Sequence, residues 1–220
     1  MSVGSYHKQS ASSGLISLRA DPQDVVGFQS FVQLVPKAVQ AAQKRAINRT
    51  LRWLATRVAR EVGLAERIAI SAVRKRLKAY PMSSNGQGRL WFGINPIEAS
   101  RAGRPRQSRS GVSVAGRRYQ GAFYKRVYGG SPDIWIRTAS KHFDANDYPD
   151  TQASGGGGLS SGWISENDSR FPLAKAKISL DDARPHFEAW TNQAHDRLLL
   201  EMERELNFEL QKYLRRTGNG

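Results

Sequence analysis

The chain has no cysteine in its 220 residues, which excludes disulfides and thiolate metal sites and fits a reducing compartment. It also lacks any apolar run near the roughly 18 residues that a membrane span needs. Met1 to Gly14 is rich in Ser and Gly with no apolar core, so no signal peptide is expected there. Apolar residues make up only 39% of the chain and the mean hydropathy is −0.56. That shortage suits a protein that completes its burial against neighbours. Acids are the most unevenly missing type. Between Val25 and Pro132 only Glu61, Glu66 and Glu98 stand against 21 Lys and Arg.

That one segment carries the net charge of +15, because residues 133–220 hold 11 basic and 14 acidic side chains and residues 1–24 two of each. Cations held this close repel one another, so the surplus calls for a polyanion or an acidic protein face. Two clusters concentrate it. Arg45, Arg49, Arg52 and Arg60 fall on the side of a helix opposite Ile47, Leu54 and Val58. Arg101, Arg104, Arg106 and Arg109 sit among Gly, Pro and Ser, a composition that reads as a flexible loop over 98–110 presenting guanidinium groups. Arg117 and Arg118, with Lys125 and Arg126, carry the charge onward. Either cluster is expected to face DNA or an acidic neighbour, or to serve contacts between subunits. Changing the four helix arginines to Gln is expected to leave folding intact.

The element pattern predicts an α+β fold: N-terminal helices on a small antiparallel sheet or partial barrel, a long C-terminal helix, and extended arm and loops. Residues 1–24 read as a flexible arm and 25–220 as one domain. Phe28 to Val35 is a strand or a helical lead-in. Ile47, Leu51, Leu54, Val58 and Val62 predict a helix over 37–62, with Pro36 in its first turn and Gly63 as a left-handed cap. A second helix is predicted over 65–79. Short apolar or aromatic runs at 90–94, 111–114, 122–128, 134–138 and 173–180 read as strands. A Gly-rich loop covers 143–170. A final helix over 182–214 has Asp181 or Asp182 as its cap and Phe187, Trp190, Ala194, Leu198, Met202, Leu206, Leu210 and Tyr213 as its apolar stripe.

Catalytic signatures are missing too. Gly158 to Gly162 matches G-x-S-x-G in letters, but a Ser/Gly run precedes it and no helix follows, so it is not a nucleophile elbow. His7, His142, His186 and His195 form no metal motif, although His186 and His195 lie near one side of a helix. Asp144, Asp147 and Asp150 lack the spacing of a calcium loop, and there is no Walker A sequence. The chain reads as a non-enzyme without cofactor or metal.

Several short motifs then occur in a familiar order. These are Arg45-Ala46-Ile47-Asn48-Arg49-Thr50, Val73-Arg74-Lys75-Arg76-Leu77, Gly111-Val112-Ser113-Val114, Gly121-Ala122-Phe123, Ile134-Trp135-Ile136-Arg137 and Arg170-Phe171-Pro172-Leu173. Over residues 35–180 this order resembles the minor tail protein Z family, the tail-completion proteins of long-tailed bacteriophages. The long Gly-rich loop replaces that family's short link between the last two motifs. The resemblance implies a structural virion protein at the head-proximal end of the tail, assembled in the host cytoplasm. It implies a homo-oligomeric ring, of six subunits, between the tail terminator or tail tube and the head-completion proteins. Such a ring can hold the packaged DNA end without reading its sequence. The alternative is a basic helix-turn-helix DNA binder built from the helices flanking Gly63, with Arg74, Lys75, Arg76 and Lys78 on the second.

Overall fold

Apolar residues at helical spacing produce the two longest elements. The computed structural model describes residues 14–25, 27–127, 131–148 and 173–217. Helix α1 spans Gln29–Leu34, α2 Pro36–Ala65, α3 Ile70–Arg74 and α4 Arg184–Thr217. The strands are β1 Leu15–Arg19, β2 Leu77–Tyr80, β3 Gln87–Phe92, β4 Ile97–Glu98, β5 Arg106–Ser108, β6 Gly111–Val114, β7 Arg117–Gln120, β8 Phe123–Lys125, β9 Asp133–Arg137, β10 Leu173–Lys175 and β11 Lys177–Ile178. They pair in small antiparallel sheets, ordered β1-β3-β2, β10-β9-β8, β11-β4 and β5-β6-β7. The fold is α+β with a long C-terminal helix. The chain divides into two compact units where one domain was expected: Met1–Glu61, Arg74–Gly93 and Arg184–Gly220 form the first, and Val62–Val73 with Ile94–Ala183 the second.

In the first unit, Ile47, Leu51, Leu54 and Val58 of α2 are each at most 1% exposed. On α4, Phe187, Ala194, Leu198, Met202 and Leu206 are buried as the stripe predicts, while Trp190, Leu210 and Tyr213 are only half-buried. The sheet β1-β3-β2 lays one face on these helices. Gly88 of β3 sits so close to α2 that a Cβ there would come within 2.4 Å of Ile47 and 2.9 Å of Leu51. Phe92 packs against Phe187 with the rings tilted by 33° and their centroids 5.4 Å apart. Trp53 meets Trp190 edge-on at 5.4 Å, and Phe31 meets Tyr213 at 6.0 Å. Trp53 thus meets Trp190 while Arg45, earlier on α2, reaches Glu205 and Glu209, later on α4, so the two helices are antiparallel.

The second unit gathers the other sheets around Val112, Val114, Ile134, Trp135, Ile136, Ala174 and Ala176, all buried. Tyr119 and Tyr148 pack edge-on at 6.3 Å, and Phe143 stacks on Tyr148 at 5.4 Å. Burial, reinforced by the charge of Asp147, pushes the Tyr119 phenol up from 10.0 to about 12. The same two causes raise Tyr148 further still. Below the unfolded value of 10.0 both phenols are neutral in either state, so their packing contributes in full. As pH rises from there through the folded values, only the unfolded chain ionises, and stability falls. In a tyrosinate absorbance titration, two of the seven tyrosines are expected to ionise only as the second unit unfolds. Smooth titration of all seven near the ordinary value would contradict this packing.

Several sequence expectations change. Within the arm expected over 1–24, residues 15–19 form an edge strand on β3, with Ile16 0% and Leu18 5% exposed. Residues 28–35 take the helical option as α1. The helix expected over 65–79 survives only as five-residue α3. Leu77 to Tyr80 instead pair with β3, a tertiary partner overriding good local helix formers. Gly63 is not a left-handed cap. It is needed for close approach, since a Cβ there would lie 3.0 Å from both the Ile68 carbonyl oxygen and Ile70. The left-handed residue is Arg67, at φ 51°. Asp181 and Asp182 lie in a 3-10 turn leading into α4, whose second residue is Pro185. The G-x-S-x-G match, Asp150, His7, the Arg170-to-Pro172 motif and most of the 143–170 loop fall outside the described residues.

Candidate functional site

The expected arginine rail on α2 divides in two. Glu201, Glu205 and Glu209 recur every fourth residue on α4, and despite their charge they are 3%, 3% and 5% exposed. Carboxylates this deep need compensating cations, and α2 supplies two. Arg45 grips Glu205 through Nε and donates through Nη2 to Glu209 at 2.6 Å. Arg49 Nη1 lies 2.6 Å from Glu205 and 3.8 Å from Glu201. Arg197 and Arg204 of α4 flank Glu201, and Lys212 approaches Glu209 at 3.7 Å. Burial alone would lower the Arg45 pKa, but hydrogen bonds to Glu205 and Glu209 and their charges outweigh it and raise it. Arg45 and Arg49 thus face acids of their own chain. Among the described residues, exposed Arg52 donates only to the Asn48 carbonyl at 3.2 Å, and exposed Arg60 has no ion pair.

The three acids of the basic segment are also occupied. Glu61 accepts from the Trp190 indole and lies 3.4 Å from His186 Nδ1. Glu66 is 3.7 Å from Arg117, whose other terminal nitrogen donates to the Glu66 carbonyl at 2.8 Å. Glu98 pairs with Arg101 at 2.8 Å.

The 98–110 segment is not the loop its composition suggests. Ala99–Arg101 is a 3-10 turn, Ala99 and Ala102 are buried, and Arg106–Ser108 is strand β5. Gln107 anchors it: its side-chain nitrogen donates to the carbonyls of Ser108, Gly111 and Ala122, and its oxygen accepts from Tyr124 N–H at 2.6 Å. Side-chain bonds thus satisfy a stretch that composition alone leaves unpacked.

Register then decides which cations point outward. Arg106 lies opposite Ser113, and Ser113 opposite Arg118, so these three share one face of the β5-β6-β7 sheet. Val112 and Tyr119 are opposite each other on the buried face, and Val114 pairs with Arg117 there. The neighbours Arg117 and Arg118 accordingly part company: Arg117 turns to Glu66, Arg118 to solvent, where it donates to Ser110 at 2.6 Å. Arg104, before β5, and Arg109, in the turn after it, are exposed. Among the described residues none of Arg104, Arg106, Arg109 and Arg118 has a carboxylate partner. Of the ten arginines singled out from sequence, the structure therefore places Arg106 and Arg118 on one sheet face, with Arg104 and Arg109 exposed in the adjoining chain, and among the described residues these four can meet phosphates without first giving up an ion pair.

Among the described residues no group of three or more His, Cys, Asp and Glu is placed to hold a metal ion, and no helix is long and apolar enough to cross a membrane. Sequence reading missed Glu201, Glu205 and Glu209 as partners of the rail. Their four-residue spacing beside Met202 and Leu206 was the available signal. No protein-family model matches the chain, and neither a curated protein nor a solved structure similar to it was found.

Proposed function

We propose that this protein is a structural, non-enzymatic subunit that assembles into a ring and meets duplex DNA through the outward face of β5-β6-β7. In its fuller form, the ring completes the head-proximal end of a bacteriophage tail, as the ordered motifs over 35–180 suggest. One observation carries the reading: Arg106 and Arg118 flank Ser113 on one sheet face, Arg104 and Arg109 are exposed next to β5 in sequence, and among the described residues none of the four has a carboxylate partner. A face of guanidinium and hydroxyl groups suits phosphates, which position a duplex without reading its bases. Closing copies around a passage would put several such faces on one polyanion and relieve their mutual repulsion.

The helix-turn-helix alternative requires a recognition helix after Gly63, and the five residues of α3 are too few to serve as one. Negative-stain images of the purified protein test the ring. Annular particles with an opening wide enough for a duplex are expected, whereas a field of small solid particles at every concentration would refute it.

A further inference from the structure

The sheet of the first unit has a second face. Along β3, Gly88, Leu90 and Phe92 are buried, so Gln87, Arg89 and Trp91 take the other side. Register places Lys78 opposite Trp91, Tyr80 opposite Arg89 and Arg19 opposite Gln87, all on that same side. Trp91 and Tyr80 are each 43% exposed, a high value for large aromatics that have an apolar core available beneath them. With Leu15, Pro81 and Ser83 they line an open groove of about 850 Å³ that has no carboxylate among its described lining residues.

The indole is held in a particular pose. A Cβ on Gly93 would come within 2.7 Å of its six-membered ring, so the ring lies down over a residue that has no side chain. Trp91 nevertheless stays 43% exposed and lines the groove. Lys78 Nζ stands 5.1 Å over the Tyr80 ring, bringing a cation to the middle of the same surface.

We infer that this face is a platform for single-stranded nucleic acid, with an unpaired base stacked on Trp91 and phosphates held by Arg19, Lys78 and Arg89. A flat exposed aromatic amid cations is the arrangement that binds unpaired bases without regard to sequence. An acidic peptide would satisfy the cations but leave the indole unused, and a duplex keeps its bases stacked inside. This site lies in the other unit from the β5-β6-β7 face and needs neither the ring nor that face.

The test is fluorescence anisotropy with a labelled thymidine oligonucleotide and, separately, a duplex of equal length. Trp91→Ala is expected to weaken single-strand binding by about tenfold to a hundredfold while leaving duplex binding and the melting temperature unchanged. Trp91→Phe should retain most of the affinity, and Arg89→Gln should weaken binding and reduce its salt dependence. An unchanged single-strand affinity in Trp91→Ala would overturn the inference, as would equal loss for single strand and duplex. Loss of self-association without loss of oligonucleotide binding would assign the face to a second copy instead. Should Trp91→Ala not fold, Tyr80→Ala and Arg89→Gln carry the same test, and full affinity in both would refute it.

Discussion

Replacing Arg45 and Arg49 together by Gln is expected to lower stability by about 3 kcal/mol and the melting temperature by roughly 6–12 °C. The reason lies on the other helix. Glu205 and Glu209 stay almost wholly buried when their cations go, and neither Gln nor water can replace a guanidinium there. The expected loss sits at the low end for a broken buried pair, because the Arg45 and Arg49 side chains are themselves 37% and 54% exposed and part of their attraction is screened. Glu201 suffers less, since Arg197 and Arg204 remain beside it. Adding Glu205→Met to the double variant should recover part of the loss, because a stranded charge is then removed along with its partners. Arg52→Gln with Arg60→Gln should stay within about 0.5 kcal/mol of the parent. Thermal melts of the three variants check the whole pattern. A double variant melting with the parent would mean the ladder contributes nothing, and the rail would be free for an outside partner. The expectation from sequence, that all four helix arginines can change without harm to folding, holds on this account only for Arg52 and Arg60.

The second large effect concerns binding. Changing Arg104, Arg106, Arg109 and Arg118 to Gln should reduce duplex affinity by about a hundredfold or more at moderate salt, and the slope of log affinity against log salt by about 3 to 4. All four are exposed and none anchors the sheet, so melting temperature should not move. An anisotropy titration over a salt series, with two unrelated duplex sequences, reads both quantities. Equal slopes for parent and variant would remove the β5-β6-β7 face from the account.

How much of this was visible beforehand varies by element. The stripes of α2 and α4 were legible because buried apolar residues at spacings of three and four leave a periodic trace. Strand β6 was legible because Gly111-Val112-Ser113-Val114 alternates between turn signals. β1 was not: five residues in a Ser/Gly context carry too short a pattern, and only pairing with β3 gives Ile16 and Leu18 somewhere to go. β2 was hidden for the opposite reason. Leu77, Lys78 and Ala79 are helix formers, and their strand state is imposed by their partners Phe92, Trp91 and Leu90 on β3. The glutamate ladder was hidden by distance, since Arg45 and Glu205 lie 160 residues apart. Counting charge by segment even sets the acids of 133–220 aside as neutral background, when three of them pair with Arg45 and Arg49. The split between Arg117 and Arg118 depends on strand register, which composition cannot convey. Trp91 was passed over because Leu90 to Ile94 reads as continuously apolar, and the alternation appears only when Gln87, Gly88 and Arg89 are counted with it.

The central claim is that copies of this chain close around a duplex and hold it by phosphate contacts. Native mass measurement of the protein, alone and with a short duplex in excess, tests it most directly. The account predicts one discrete species, a whole multiple of the 24.5 kDa chain, that retains a single duplex at low salt and releases it as salt rises. A 24.5 kDa monomer that leaves the duplex free at low salt would contradict it.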